Sequence, residues 1–304
     1  MQGEMRMEIR VLRYFLTVVR EESITKAAEM LHITQPTLSR QLAQLEEETG
    51  VKLFNRGSRK ITLTSEGILL RRRAEEIIEL VDKTSHDLLK QENELKGKIT
   101  IGYGELKSVQ TLSKLCKMFH EKYPQVTFEV YTATADAVKE RMDRGLIDIG
   151  LLLEPVSMEK YDYIRMPIKE EWCVLMRPDD PLAEKSSITA NDLESQPLIL
   201  PQRLNVQSEL ANWFGNSFEK INLVISGNLS TNSAIMTMNG LGYALVINGS
   251  TSLWDSTKLI SKPLSPILTS TTVLAWKHGQ PFSPAVEKFI HHLKCLLSMT
   301  CQTI

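Results

Sequence analysis

Residues 24–48, ITKAAEMLHITQPTLSRQLAQLEEE, constrain the fold more than any other stretch of the chain. Ile24, Ala28, Leu31 and Ile33 share one face, and Leu38, Leu42 and Leu45 continue it at helical spacing. Ala27 and Ala28 are small enough for two helices to cross closely, and Leu31-His32-Ile33 is a short turn between them. That combination is a helix-turn-helix. Thr34 is placed to cap the second helix, and Pro36 falls in its first turn, where a missing N–H costs least. Gln35, Thr37, Ser39, Arg40 and Gln44 are left facing outward. Short polar and guanidinium side chains of this kind read base edges or hold phosphates in a major groove. Polar helix surface is the competing reading, and Arg40 is the strongest candidate contact.

The flanking pattern extends this module. Ile9, Leu12, Phe15, Leu16 and Val19 recur at spacings of three and four, predicting a helix before it. Between residues 49 and 65 stand Lys52, Arg56, Arg59 and Lys60 without any acid, followed by alternating Ile61-Thr62-Leu63-Thr64. This predicts a basic loop leading into a short strand. Over 66–96, Leu70, Ala74, Ile77, Val81, Thr84, Leu88, Gln91 and Leu95 follow an unbroken 4-3 spacing. A seam that narrow predicts one long helix that pairs with another, polar Thr84 and Gln91 fixing the register, and Gly97 ends it. A surface helix lying on its own domain is the alternative.

From residue 98 the pattern changes to short apolar runs alternating with helical ones. Strands are expected at 98–103, 126–131, 147–153, 171–176, 197–200, 221–226, 243–247 and 271–276. Helices are expected at 107–121, 134–143, 206–214, 230–239 and 282–298. Such alternation predicts an open, largely parallel α/β sheet, with ligands bound at the carboxyl ends of strands near helix starts.

Composition narrows the class. The 304 residues suffice for about two or three domains. With 42% hydrophobic and 24% charged residues and a formal charge of −1, neither a disordered chain nor a uniformly basic coat fits. Charge is unevenly spread, at +2 over residues 1–64, −2 over 65–96 and −1 over 97–304. Cys116, Cys173, Cys295 and Cys301 are scattered without metal-ligand spacing, which fits a reducing compartment. The charged start MQGEMRMEIR does not read as a signal peptide, and no run approaches the ~20 apolar residues of a membrane span. A cytoplasmic protein without a membrane partner is expected. There is no nucleophile elbow, phosphate loop or metal cluster. None of His32, His86, His120, His278, His291 and His292 falls where a catalytic pair could form, so no enzyme, cofactor or metal is expected.

On Ala27-Ala28, Gln35 to Ser39, Leu45-Glu46, Gly50, Leu53-Phe54, Arg56, Leu63-Thr64 and Gly67, the chain resembles the LysR-type transcriptional regulators. The resemblance begins at Met7, so residues 1–6 look like an extension. It continues through 97–102, 119–124, the GLIDIG of 145–150, Leu182-Ala183, 240–246, 272–276 and 283–285. The resemblance implies an α/β multidomain protein. Residues 1–64 would form a winged helix-turn-helix and 65–96 a dimerisation linker helix. Residues 97–304 would form an effector domain resembling periplasmic solute-binding proteins, with one subdomain of 97–166 and 267–304 and another of 167–266.

It further implies a homodimer, assembling to a homotetramer, on double-stranded promoter DNA with an inverted repeat. A small-molecule effector is a second partner and RNA polymerase a third. DNA contacts carry over to Thr25, Gln35, Pro36, Thr37, Ser39, Arg40 and Gln44, and to Arg56, Arg59 and Lys60 on the wing. Dimer contacts carry over to Leu70, Ala74, Ile77, Val81, Leu88 and Leu95.

The cleft positions map to Glu105, Lys107, Ser108, Thr132, Ala133, Thr134, Pro201, Gln202, Asn228, Ser230 and Thr231. Ser108, Thr134 and Thr231 stand near helix starts, where free N–H groups favour an anion, so a small carboxylate is the expected effector. Three features depart from the family or leave the pocket's charge open. Ile247-Asn248-Gly249 stands where a proline is usual, Glu105 and Lys107 bring opposite charges to one turn, and Arg203 is expected to face water. Two other readings are weaker. A solute-binding protein lacks a reason for the helix-turn-helix. A thiol-based oxidation sensor conflicts with cysteines expected to be buried as small apolar residues.

Overall fold

The computed structural model describes residues 7–55, 61–88, 95–249, 251 and 254–300, the side chains of 86–88 and 298–300 excepted. The chain divides after residue 88 into two compact units.

The first unit contains α1 (Ile9–Glu21), α2 (Ile24–Met30), α3 (Gln35–Thr49), β1 (Phe54–Asn55), β2 (Thr62–Leu63) and α4 (Ser65–Leu88). Its core joins Leu12, Phe15 and Val18 to Ala27, Ala28, Leu38, Leu42, Leu45 and Leu53. Ser23 caps α2 by accepting the Lys26 N–H, and the turn into α3 closes with Ile33 N donating to Ala28 O at 3.0 Å. His32 makes that turn in the left-handed region, at φ 54°. Past α3, the carboxylate of Glu46, only 4% exposed, accepts from Leu53 N (2.8 Å), Phe54 N (3.3 Å) and Lys52 Nζ (2.9 Å). Burial works to raise its pKa, but the Lys52 hydrogen bond and the two backbone donors outweigh it and hold the carboxyl below its ordinary value. Its contribution to stability is therefore present at neutral pH and fades as pH falls through the depressed value. The 46–54 turn thus aims the antiparallel pair β1–β2, in which Phe54 faces Leu63.

The 4-3 spacing of α4 straddles two environments. Ala74 is fully buried in this unit's own core, with Leu70 and Ile78 packed beside it, and Arg13 of α1 pairs with Asp82. Leu69, Ile77 and Leu80 stay exposed. A helix turns 3.6 residues per turn, so a strict 4-3 line drifts round it and leaves the buried stripe. Leu95 is not part of α4 and packs against the core of the second unit. Ala74 and Leu95 are therefore occupied by intrachain packing rather than available to a partner helix. The side chain of Leu88, and Gln91, lie outside the described residues.

The second unit holds two sheets. The first comprises β3 (Gly97–Tyr103), β4 (Val126–Thr132), β5 (Ile149–Leu153), β6 (Tyr161–Arg165) and β13 (Thr272–Lys277), in the order β4-β3-β5-β13-β6. α5 (Val109–Lys122), α6 (Ala135–Asp143) and the terminal α9 (Pro284–Thr300) belong with it. Phe119 of α5 meets Phe289 of α9 edge-on, with ring centres 4.9 Å apart. The second sheet comprises β7 (Glu170–Met176), β8 (Pro197–Pro201), β9 (Asn222–Gly227), β10 (Tyr243–Ile247) and β11 (Ile260–Pro263), in the order β11-β7-β10-β8-β9, with β12 (Thr269–Ser270) on β7. Its helices are α7 (Leu204–Phe214) and α8 (Ser230–Met238).

The sheets are mixed rather than largely parallel, because β7 and β13 run antiparallel to their neighbours. Strands β6, β11 and β12 were not expected from the apolar pattern. β6 and β11 are edge strands that alternate little and bury few side chains, and β12 is only two residues long. Because β12 pairs with β7, the chain leaves the second sheet at Thr271, a few residues beyond the expected crossing near 266. Among the described residues no helix is long and apolar enough to cross a membrane.

Candidate functional site: a recognition helix and a two-sheet cleft

Burying Leu38, Leu42 and Leu45 turns the opposite side of α3 outward. Gln35, Pro36, Arg40 and Gln44 are exposed there, Thr37 and Ser39 are half-buried at the flanks, and Thr25 is exposed on α2. No described residue takes up the Arg40 guanidinium, so it is free for a phosphate or a base. Two neighbours are already engaged, the Thr37 hydroxyl with that of Thr34 (2.8 Å) and the Gln44 amide with Glu48 (2.8 Å). Thr34 therefore spends its hydroxyl on a side chain rather than on capping a backbone N–H. Arg56, Arg59 and Lys60 lie outside the described residues; the β1–β2 pair that flanks them is the described part of the wing.

In the second unit a cleft of about 700 Å³, open solvent at its mouth included, lies between the two sheets. Of the expected positions, Glu105, Ala133, Thr134, Pro201, Gln202, Asn228 and Ser230 line it. Leu151, Leu153, Leu245, Ile247 and Trp172 give it an apolar floor that sequence reading did not assign. Trp172 opens an apolar strand run, and nothing local marks its ring as facing a cleft.

Lys107, Ser108, Thr132 and Thr231 are absent from this lining. Ser108 is fully buried, and its hydroxyl and N–H both donate to Glu170, at 2.6 and 2.8 Å. Lys107 N donates to the same carboxylate at 2.8 Å, and Thr272 Oγ1 stands 2.7 Å from the Ser108 hydroxyl. The start of α5 is thus filled by the chain's own anion, which engages the Ser108 hydroxyl and the N–H groups of Lys107 and Ser108. Thr231 is likewise engaged, its N–H donating to Glu105 at 2.9 Å and its hydroxyl to the other carboxylate oxygen.

Arg203, expected to face water, is instead 9% exposed at its side chain. It crosses the cleft to Asp136 (3.2 Å), Leu153 O (3.1 Å) and Pro155 O (2.9 Å). Burial pushes the thiols of Cys116 and Cys173 up to about 12, so both stay protonated at neutral pH and are poor oxidation sensors. Among the described residues no group of three or more His, Cys, Asp or Glu could hold a metal.

Residues 9–68 match the family of bacterial regulatory helix-turn-helix proteins, lysR family, and residues 92–298 match the LysR substrate binding domain. The Hca operon transcriptional activator HcaR of Escherichia coli strain K12 is 31% identical over 294 residues, 93% of this chain and 96% of that protein. The chain belongs to the LysR family.

Within that family, the regulator BsdA of Bacillus subtilis strain 168 is 33% identical over 221 residues, covering 71% of this chain and 74% of BsdA. Full-length CbnR, solved with its target DNA, shares the fold at TM-score 0.72 and 20% identity, over 95% of this chain and 99% of CbnR. Full-length BenM aligns at TM-score 0.54 and 26% identity, over 97% of each chain. This LysR-type transcriptional regulator therefore carries a DNA-binding helix-turn-helix in its first unit and an effector-binding domain in its second.

Proposed function

We propose that this LysR-type regulator grips an inverted-repeat promoter site as a homodimer or dimer of dimers, and that a small carboxylate with an apolar body retunes it from the cleft. The observation that carries this reading is the cleft itself, walled by both sheets and floored with apolar side chains beside a few polar groups. A ligand bridging two sheets stabilises one sheet arrangement over another, and only such differential binding shifts an equilibrium. An apolar lining with a few convergent polar groups is that of small-molecule pockets. The regulator acts in the cytoplasm, where promoter DNA and RNA polymerase are its partners.

Arg40, Pro36, Gln35, Ser39, Thr37 and Thr25 form the reading face, helped by the wing cations Arg56, Arg59 and Lys60. Arg40→Ala should weaken specific binding by about 1–3 kcal/mol if the guanidinium reads a base. Fluorescence anisotropy with DNA from upstream of its own gene, at two salt concentrations and against random DNA, tests the whole reading. Specific, steeply salt-dependent binding supports it; equal weak binding to both DNAs sinks it. Equal loss on both DNAs in Arg40→Ala would move that residue to phosphate.

The dimer face is assigned to the exposed line Leu69, Ile77 and Leu80 of α4, with Val81 at its edge. Leu80→Asp should weaken dimerisation by about a hundredfold, about 2.7 kcal/mol, without melting the first unit. An unchanged mass in light scattering at low micromolar concentration would remove α4 from the interface.

A further inference from the structure

Two bridges of opposite charge span the cleft. From the first sheet's side, Glu105 reaches the start of α8, where its carboxylate takes the N–H and hydroxyl of Thr231. From the second sheet's side, Arg203 reaches Asp136 and the carbonyls of Leu153 and Pro155. Both charged side chains also line the pocket. The turn bearing Glu105 is held from a third direction, because a Cβ on Gly249 would stand 2.4 Å from Lys107 N and 2.6 Å from the Leu106 carbonyl carbon. Only glycine allows the segment after β10 to approach that backbone so closely.

We infer that Glu105 is a latch and a rival ligand: its carboxylate closes the cleft across to Thr231, and an anionic effector binds only by displacing it. This rests on the small-carboxylate reading above and adds to it the residue that sets the pocket's charge preference. With Glu105 in place, an entering carboxylate meets a like charge and finds the Thr231 donors taken. Arg203 offers little compensation, since Asp136 and two carbonyls already occupy most of its N–H groups. Displacing Glu105 frees one of the two bridges, which gives ligand entry a direct mechanical consequence for how the sheets are joined.

The test uses the full-length protein with sodium benzoate, an apolar-bodied monocarboxylate, as the probe. Calorimetric titration and quenching of tryptophan emission, Trp172 lying in the pocket wall, report binding. Hydrogen exchange of the Thr231 amide reports the latch without any ligand. Glu105→Ala and Glu105→Gln should bind benzoate at least tenfold more tightly than the parent. The Thr231 amide should exchange at least tenfold faster in Glu105→Ala, with α5 and α9 unchanged. Equal or weaker benzoate binding in both variants overturns the rivalry, and an unchanged Thr231 amide overturns the latch. If no protein binds benzoate while the Thr231 amide is deprotected, the latch stands and the small-carboxylate reading falls.

Discussion

Replacing Glu170 with alanine is expected to cost the second unit about 3 kcal/mol, because it removes the charged acceptor of three hydrogen bonds at the start of α5. Glu170 has no exposed surface and accepts hydrogen bonds from Lys107 N, Ser108 N and the Ser108 hydroxyl. Without the carboxylate the buried Ser108 N loses its acceptor, while the Ser108 hydroxyl keeps Thr272 Oγ1 at 2.7 Å, and a buried donor left unpaired costs about 1–3 kcal/mol. Glutamine should recover part of the loss, since its carbonyl accepts from one or two donors while its NH₂ faces the others. The position is also strategic. Glu170 begins β7, just after the chain first crosses between the sheets, and it ties the second sheet to the start of α5 in the first. Urea unfolding of the full-length chain, followed by a probe in the second unit, measures the effect. A loss below 1 kcal/mol would mean that the α5 start finds other acceptors and that Glu170 is not the pin of the crossing.

Gly67→Ala should destabilise the first unit by about 3 kcal/mol, the upper end for forcing volume into a packed site, and lower its melting temperature by roughly 10–20 °C. A Cβ at this position would stand 2.2 Å from the carbonyl oxygen of Leu53 and 2.9 Å from Leu63 Cδ2. The obstacle is backbone, which does not rotate aside. That same carbonyl accepts from Thr64 N at 3.1 Å, while the Thr64 hydroxyl accepts from Gly67 N (3.0 Å) and donates to Lys52 O (2.6 Å). The methyl group therefore pushes the first turn of α4 off the strands of the wing. Specific DNA binding should fall with it, while the unfolding transition of the second unit stays in place. A calorimetric scan in which the first transition does not move would refute the close approach.

Local periodicity explains why the DNA-binding face was legible. The recognition helix needs only Leu38, Leu42 and Leu45 to decide which side of α3 is covered, and all three lie within two turns of the residues they expose. The 4-3 line on α4 was equally visible, yet it misplaced Ala74 and Leu95, because spacing reveals an apolar line without saying which surface covers it. α1 covers the early part, and the core of the second unit takes Leu95.

The cleft divides the same way. Its turns came from the resemblance to the LysR-type regulators, but the groups that fill the helix starts there come from far along the chain. Glu170 stands 62 residues from Ser108, and Thr231 stands 126 residues from Glu105. Arg203 was expected in water for the same reason, since Asp136, Leu153 and Pro155 come to it only when the two sheets face each other.

The sequence by itself determined most of the elements, the helix-turn-helix and the family, because turn chemistry and apolar period act over a few residues and leave local marks, as the edge strands β6, β11 and β12 do not. The tertiary structure alone decided which anion sits at each helix start, which side of α4 remains open and what charge the cleft presents. Those depend on side chains brought together across long stretches of chain, where a hydrogen bond or ion pair imposes no spacing that a single sequence could display.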